Sequence, residues 1–71
     1  MSHLRRVLGT NIRKHRETIE WSQEELAVRS KLSSDYMGRL ERGEVNISIE
    51  ALMRVAKALK VPIFELVRGL D

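Results

Sequence analysis

Few residues in this sequence could make or break a covalent bond, and many could make directed hydrogen bonds. There is no cysteine, which removes disulfides and thiolate metal sites. His3 and His15 have no nucleophile or carboxylate cluster at a catalytic spacing, and each reads as a solvated helix residue. No phosphate-cradling glycine loop and no metal-ligand spacing occurs. The sequence therefore predicts no enzyme, no cofactor and no metal. Among the polar residues, Asp35 and Arg39 have a spacing that can be read directly. Arg39 lies one helical turn beyond Asp35 and on the same face. Its guanidinium would offer a rigid fork of donors to a planar pair of acceptors.

Charge gives a weaker hint. The chain has 71 residues and a formal net charge of +3, a moderate lean towards polyanions. Arg5, Arg6, Arg13, Lys14 and Arg16 fall in an N-terminal stretch without acid, and Glu17, Glu20, Glu24 and Glu25 follow without a base. Ordinary charge alternation on solvated helices explains the same distribution. The length predicts one domain over residues 1–71, near the lower limit at which a core alone holds a fold. Pairing with a second copy is a common remedy at this size. No apolar run is long enough to cross a membrane, and no signal peptide is visible. The expected location is cytoplasmic, with no membrane partner.

The elements that would position the polar group are helical. Leu4, Val7, Leu8, Ile12 and Ile19 share one face of a first helix over about residues 4–20. Ser22 followed by Glu25 is a capping box, so a second helix starts at Gln23, buries Leu26 and Ala27, and ends near Ser30. Trp21, before that cap, sits at the hydrophobic-staple position; it and Phe64 read as packing residues. Ser33 caps a third helix, with Asp35 in its first turn, Met37 and Leu40 inward, and Gly43 as its stop. Tyr36 falls outside that inner face. Ser48 caps a fourth helix whose expected buried stripe is Ile49, Leu52, Val55, Ala56 and Leu59. Pro62 suits the first position of a fifth, with Ile63, Leu66, Val67 and Leu70 as its apolar face. The expected fold is an all-α, five-helix domain, with a core unit over about 22–43 and helices four and five over about 48–70.

The short gap between Ser30 and Ser33 is the informative spacing. A turn of that length makes two short helices cross steeply, which is helix-turn-helix geometry. In that geometry the second helix enters the major groove of double-stranded DNA, and its N-terminal residues reach base edges. The first helix offers its N-terminus to a phosphate.

Residues 22–43 resemble the phage repressor and Cro-like helix-turn-helix family. The resemblance rests on Gln23-Glu24-Glu25-Leu26-Ala27, on Tyr36, and on the ending Leu40-Glu41-Arg42-Gly43. Asn46-Ile47-Ser48 and Val55-Ala56-Lys57-Ala58-Leu59 extend it, over about residues 8–68 in all. Within the family, the chain looks most similar to controller proteins of restriction–modification systems. The resemblance implies a lambda-repressor-like fold and a sequence-specific transcriptional regulator. Base contact is implied at Ser33, Ser34, Asp35 and Arg39, and backbone contact at Ser22, Gln23, Tyr36, Arg42 and Asn46. Arg16 and Glu41 match a buried ion pair between helices one and three.

Several of these positions carry a second explanation. Arg39 suits guanine O6 and N7, or a surface pair with Asp35. Ser33 needs no DNA to explain it, because a helix cap already does. Asp35 fits cytosine N4, discrimination against other sequences, or the helix dipole. Two positions depart from the family pattern: Lys31 stands where glycine is usual, and Val45 where controller proteins often carry a base. The expected partners are operator DNA and a second copy of the chain, with no small-molecule ligand. Dimerisation is expected through Ile63, Phe64, Val67 and Leu70, which exceed what a small core needs, although closing the monomer core would also use them. An antitoxin-type module that binds a partner protein and autoregulates is the alternative function.

Overall fold

The computed structural model describes residues 2–69; Leu70, expected on the dimer face, lies outside them. The chain forms five helices: α1 (Ser2–Thr18), α2 (Gln23–Ser30), α3 (Ser34–Glu41), α4 (Ile49–Leu59) and α5 (Ile63–Leu66). No strand occurs among the described residues.

Serine caps start the middle helices where expected. The Oγ of Ser22 accepts from the Glu25 N–H at 3.0 Å, that of Ser33 from Tyr36 at 3.0 Å, and that of Ser48 from Ala51 at 3.1 Å. Each such bond satisfies a donor that the helix cannot, and contributes about 1 kcal/mol. The capping box at α2 is only half made, because the Glu25 carboxylate accepts from Arg29 instead. Lys31 ends α2 in the left-handed region at φ 59°, and its N–H and that of Leu32 return to Val28 and Ala27. Lysine at this point costs about 1 kcal/mol relative to a relaxed backbone.

Leu8, Ile12, Leu26, Ala27, Met37, Leu40, Leu52, Val55, Ala56, Leu59 and Leu66 form one core. Trp21 is half-buried against it, as the staple position requires, with the Arg29 guanidinium 4.5 Å above its ring. Two glycines set how closely elements approach. A Cβ on Gly9 would lie 2.5 Å from the Leu40 carbonyl oxygen, so only glycine lets α1 touch the end of α3. Gly43, at φ 75°, lies against Arg6 and turns the chain away after α3.

Four expectations need correction. The first helix stops at Thr18, because Glu20 enters the left-handed region (φ 60°) and the Trp21 N–H returns to the Arg16 carbonyl. Ile19 thus lies beyond the helix and is exposed, as is Leu4. Ile49 is 69% exposed and leaves the stripe, its place in the first turn being taken by Ala51. It lines a cleft with Leu4, Val45, Ile47 and Val67. Pro62 is the N-cap rather than the first residue of α5, which is a single turn. That turn ends where the Asn11 side chain donates to the carbonyls of Leu66 and Arg68, both at 2.9 Å. Finally, Phe64 is 62% exposed and does not pack in the core. No helix among the described residues is long and apolar enough to cross a membrane.

Candidate nucleic-acid interface

α3 is built so that one side is committed to the core and the other is free. Met37, Gly38, Leu40 and Glu41 are buried, whereas Ser33, Ser34, Asp35 and Arg39 are exposed. The apolar spacing does this directly, since Met37 and Leu40 fall on one face and leave the serine–aspartate–arginine face outward. The surface pair Asp35–Arg39 is not formed. Among the described residues Arg39 makes no ion pair at all, so its donors are free.

The N-terminus of α2 joins this face. Gln23, Glu24, Ser34, Asp35, Gly38 and Arg42 line one open cleft of about 380 Å³. A backbone amide terminus, a side-chain amide and a guanidinium thus stand beside the exposed end of α3. Ser33 and Arg39 lie outside that cleft.

Beneath the cleft lies an ion pair. Arg16 Nε donates to Glu41 Oε2 at 2.7 Å and Nη2 to Oε1 at 2.9 Å, with the two side chains 11% and 2% exposed. The hydrogen bond to Glu41 raises the Arg16 pKa above its ordinary value. The third arm of the guanidinium, Nη1, donates to the Trp21 carbonyl at 2.8 Å. Gln23 Nε2 donates to Glu41 Oε1 at 2.9 Å. The expected Arg16–Glu41 bridge is therefore present, and it also holds Gln23. One carboxylate receives groups from α1 and α2 while sitting on α3. Removing one partner of a buried pair of this kind costs about 3–5 kcal/mol.

Two further contacts were not foreseen from sequence. Tyr36 is half-buried, and its hydroxyl donates to the Asn46 carbonyl at 2.9 Å, tying the loop after α3 back to that helix. Arg42 grips Glu44 through Nε at 3.0 Å and Nη2 at 3.3 Å. This hydrogen bond raises the Arg42 pKa and lowers that of Glu44. The i to i+2 spacing across the helix end gave no periodic signal for it. The Asn46 side chain stays exposed in the same loop, and Val45 is half-buried against the core.

A family model described as helix-turn-helix matches residues 12–66. The chain belongs to the helix-turn-helix family. It is 37% identical over 60 residues to the control protein C.SmaI of Serratia marcescens, covering 84% of this chain and 71% of that one. It is also 37% identical over 68 residues to an HTH-type transcriptional regulator, y4dJ, of Sinorhizobium fredii, covering 96% and 88%. Its fold is similar to that of the restriction-modification controller protein C.AhdI from Aeromonas hydrophila, with a TM-score of 0.87 and 35% identity over 93% of this chain and 98% of that one. The all-α helix-turn-helix fold and the DNA-binding, transcription-regulating class expected from sequence both hold.

Proposed function

We propose that this helix-turn-helix chain reads double-stranded DNA through α3, with Ser34, Asp35 and Arg39 on base edges, and acts as a regulator of the controller type. The observation that carries the reading is the split of α3 into a buried face and an exposed, unpaired polar face ending in Arg39. Arg39 would pair bidentately with guanine, worth about 1–3 kcal/mol of discrimination. Ser33 adds a base contact without giving up its cap. Gln23 and Ser22, at the N-terminus of α2, hold one phosphate, where helix dipole and free N–H groups favour an anion. Arg42, in the same cleft as Gln23, addresses the backbone too, as do Tyr36 and Asn46. The likeness to control and controller proteins supports the regulatory class.

The working unit in this proposal is a homodimer on a two-fold operator. One eight-residue helix reads few base pairs, and a two-fold axis doubles the site. Phe64 is exposed, and Ile63 and Val67 are half-buried beside it. Val67 also lines a cleft with the exposed Leu4 and Ile49. A second copy covering these residues would form an isologous contact.

Selection of bound duplexes from a random pool tests the reading. It should return a motif with two-fold symmetry, bound more weakly as salt rises through release of counterions. A pool that returns no motif, with binding indifferent to salt, would contradict it.

A further inference from the structure

A second charged surface lies away from the cleft that holds Gln23 and Arg42. Arg29 and Lys31 from the end of α2, and Arg54 and Lys57 from α4, line an open cleft of about 270 Å³ together with Ala58. All four cationic residues are exposed. No carboxylate among the described residues lies at ion-pair distance from Lys31, Arg54 or Lys57, and only Arg29 is paired, with Glu25. The cleft is built across elements rather than being a run of surface lysines. Arg54 Nε donates to the Ser30 carbonyl at 2.9 Å, fixing α4 against the end of α2. Arg29 is held over Trp21.

Helix ends account for part of this charge. The C-termini of α2 and α4 meet here, and each carries roughly half a negative charge. Two such ends and Glu25 together offset about two of the four cations. About two positive charges remain with no counterpart among the described residues. Lys31 also occupies a left-handed position at φ 59° that glycine would hold more easily, so the fold does not require its side chain.

We propose that this cleft is a second DNA-backbone anchor, gripping phosphates outside the stretch that α3 reads. The inference rests on the DNA-binding reading above. Continuity favours a nucleic-acid backbone as occupant: Lys31 lies in the same turn as Ser33, the cap of α3, so the patch begins where the reading face begins. A duplex lying along α3 would bring a repeating series of anions near that turn, and the cations that share the cleft with Lys31 would meet them. The anchor strengthens binding to any sequence and adds no base preference, as contacts to phosphates do.

The test compares the full chain with Lys31→Gly, Lys57→Gln and the double variant, on the duplex selected from the random pool and on a random duplex, across salt. Lys31→Gly relieves the left-handed backbone and should melt no lower than the parent, so weaker binding by it cannot be ascribed to unfolding. Each lysine removed should flatten the log–log salt slope by about one, so that the affinity lost between 50 and 200 mM salt shrinks by about fourfold per lysine. The loss should be the same on both duplexes. A steep salt slope in the parent that the variants leave unchanged would overturn the anchor and leave the reading face standing. Unchanged DNA binding with lost regulation of a reporter would also overturn it, and would assign the cleft to an acidic protein. A flat slope in the parent would remove the DNA reading itself, and the anchor with it.

Discussion

The two faces of α3 are built on opposite rules. On the inner face, Glu41 is buried and accepts from Arg16 and Gln23, while the third arm of Arg16 takes the Trp21 carbonyl. On the outer face, Ser34, Asp35 and Arg39 are exposed, and Arg39 has no ion-pair partner among the described residues. A buried polar group must be satisfied inside the protein, whereas an exposed one can keep donors and acceptors for a ligand. The difference teaches where to look for function in a small helical domain. The clasp holds α3 still against α1 and α2, and the free face can then present its donors at fixed positions. Orientation and recognition are carried by different residues of one eight-residue helix.

Substitutions on the two faces should separate stability from recognition. The largest effect belongs to the clasp. Glu41→Ala leaves Arg16 buried without its partner and should cost about 3–5 kcal/mol in denaturant unfolding. That approaches the whole stability of many small domains, so DNA binding should fail with the fold. Gly9→Ala attacks the same held face from α1, because its Cβ would meet the carbonyls of Leu40 and Glu41. It should lower stability by about 1–3 kcal/mol, read as a lower Tm.

On the free face, Arg39→Ala should leave stability within about 0.5 kcal/mol. It should relax one base-pair position of each half-site by about 1–3 kcal/mol, measured by repeating the selection. Gln23→Ala stands between the two faces. Losing its bond to Glu41 should cost about 1 kcal/mol of stability, and binding should weaken alike on all duplexes.

The smallest effect is expected at Glu44, which occupies Arg42 in the free protein. Glu44→Gln should release Arg42 and raise affinity slightly for every duplex, as seen by titration. Acid should do the same. Arg42 lowers the Glu44 pKa, so the tie is complete above the ordinary carboxylate range and is lost as pH falls through the lowered value.

How much of this was legible in the sequence depended on how local the cause was. Ser22, Ser33 and Ser48 announce their helices because a cap acts over three residues. Met37 and Leu40 announce the inner face of α3 through their spacing alone, and with it the outward face that carries Arg39. Arg16 and Glu41 were legible only through family resemblance, since nothing local links residues on different helices. The link from Gln23 to Glu41 and the tie from Tyr36 to Asn46 depend on tertiary placement, and no periodicity reports that. Ile19 misled because it keeps helical spacing past the point where Glu20 turns the backbone. Ile49 misled because an apolar residue in a first turn looks like core whether or not anything covers it. α5 was read too long because Ile63, Leu66 and Val67 keep helical spacing, whereas Asn11, some fifty residues earlier in the chain, takes the carbonyls at its end.

The most direct measurement is equilibrium binding of Arg39→Ala beside the parent chain, on the selected duplex and on random duplex at one salt concentration. The division of α3 into a held face and a reading face predicts that affinity for the selected duplex falls about 5- to 150-fold for each half-site bound. Affinity for random duplex should change far less, and the melting temperature should hold. An equal fall on both duplexes, or a loss of folding, would contradict it.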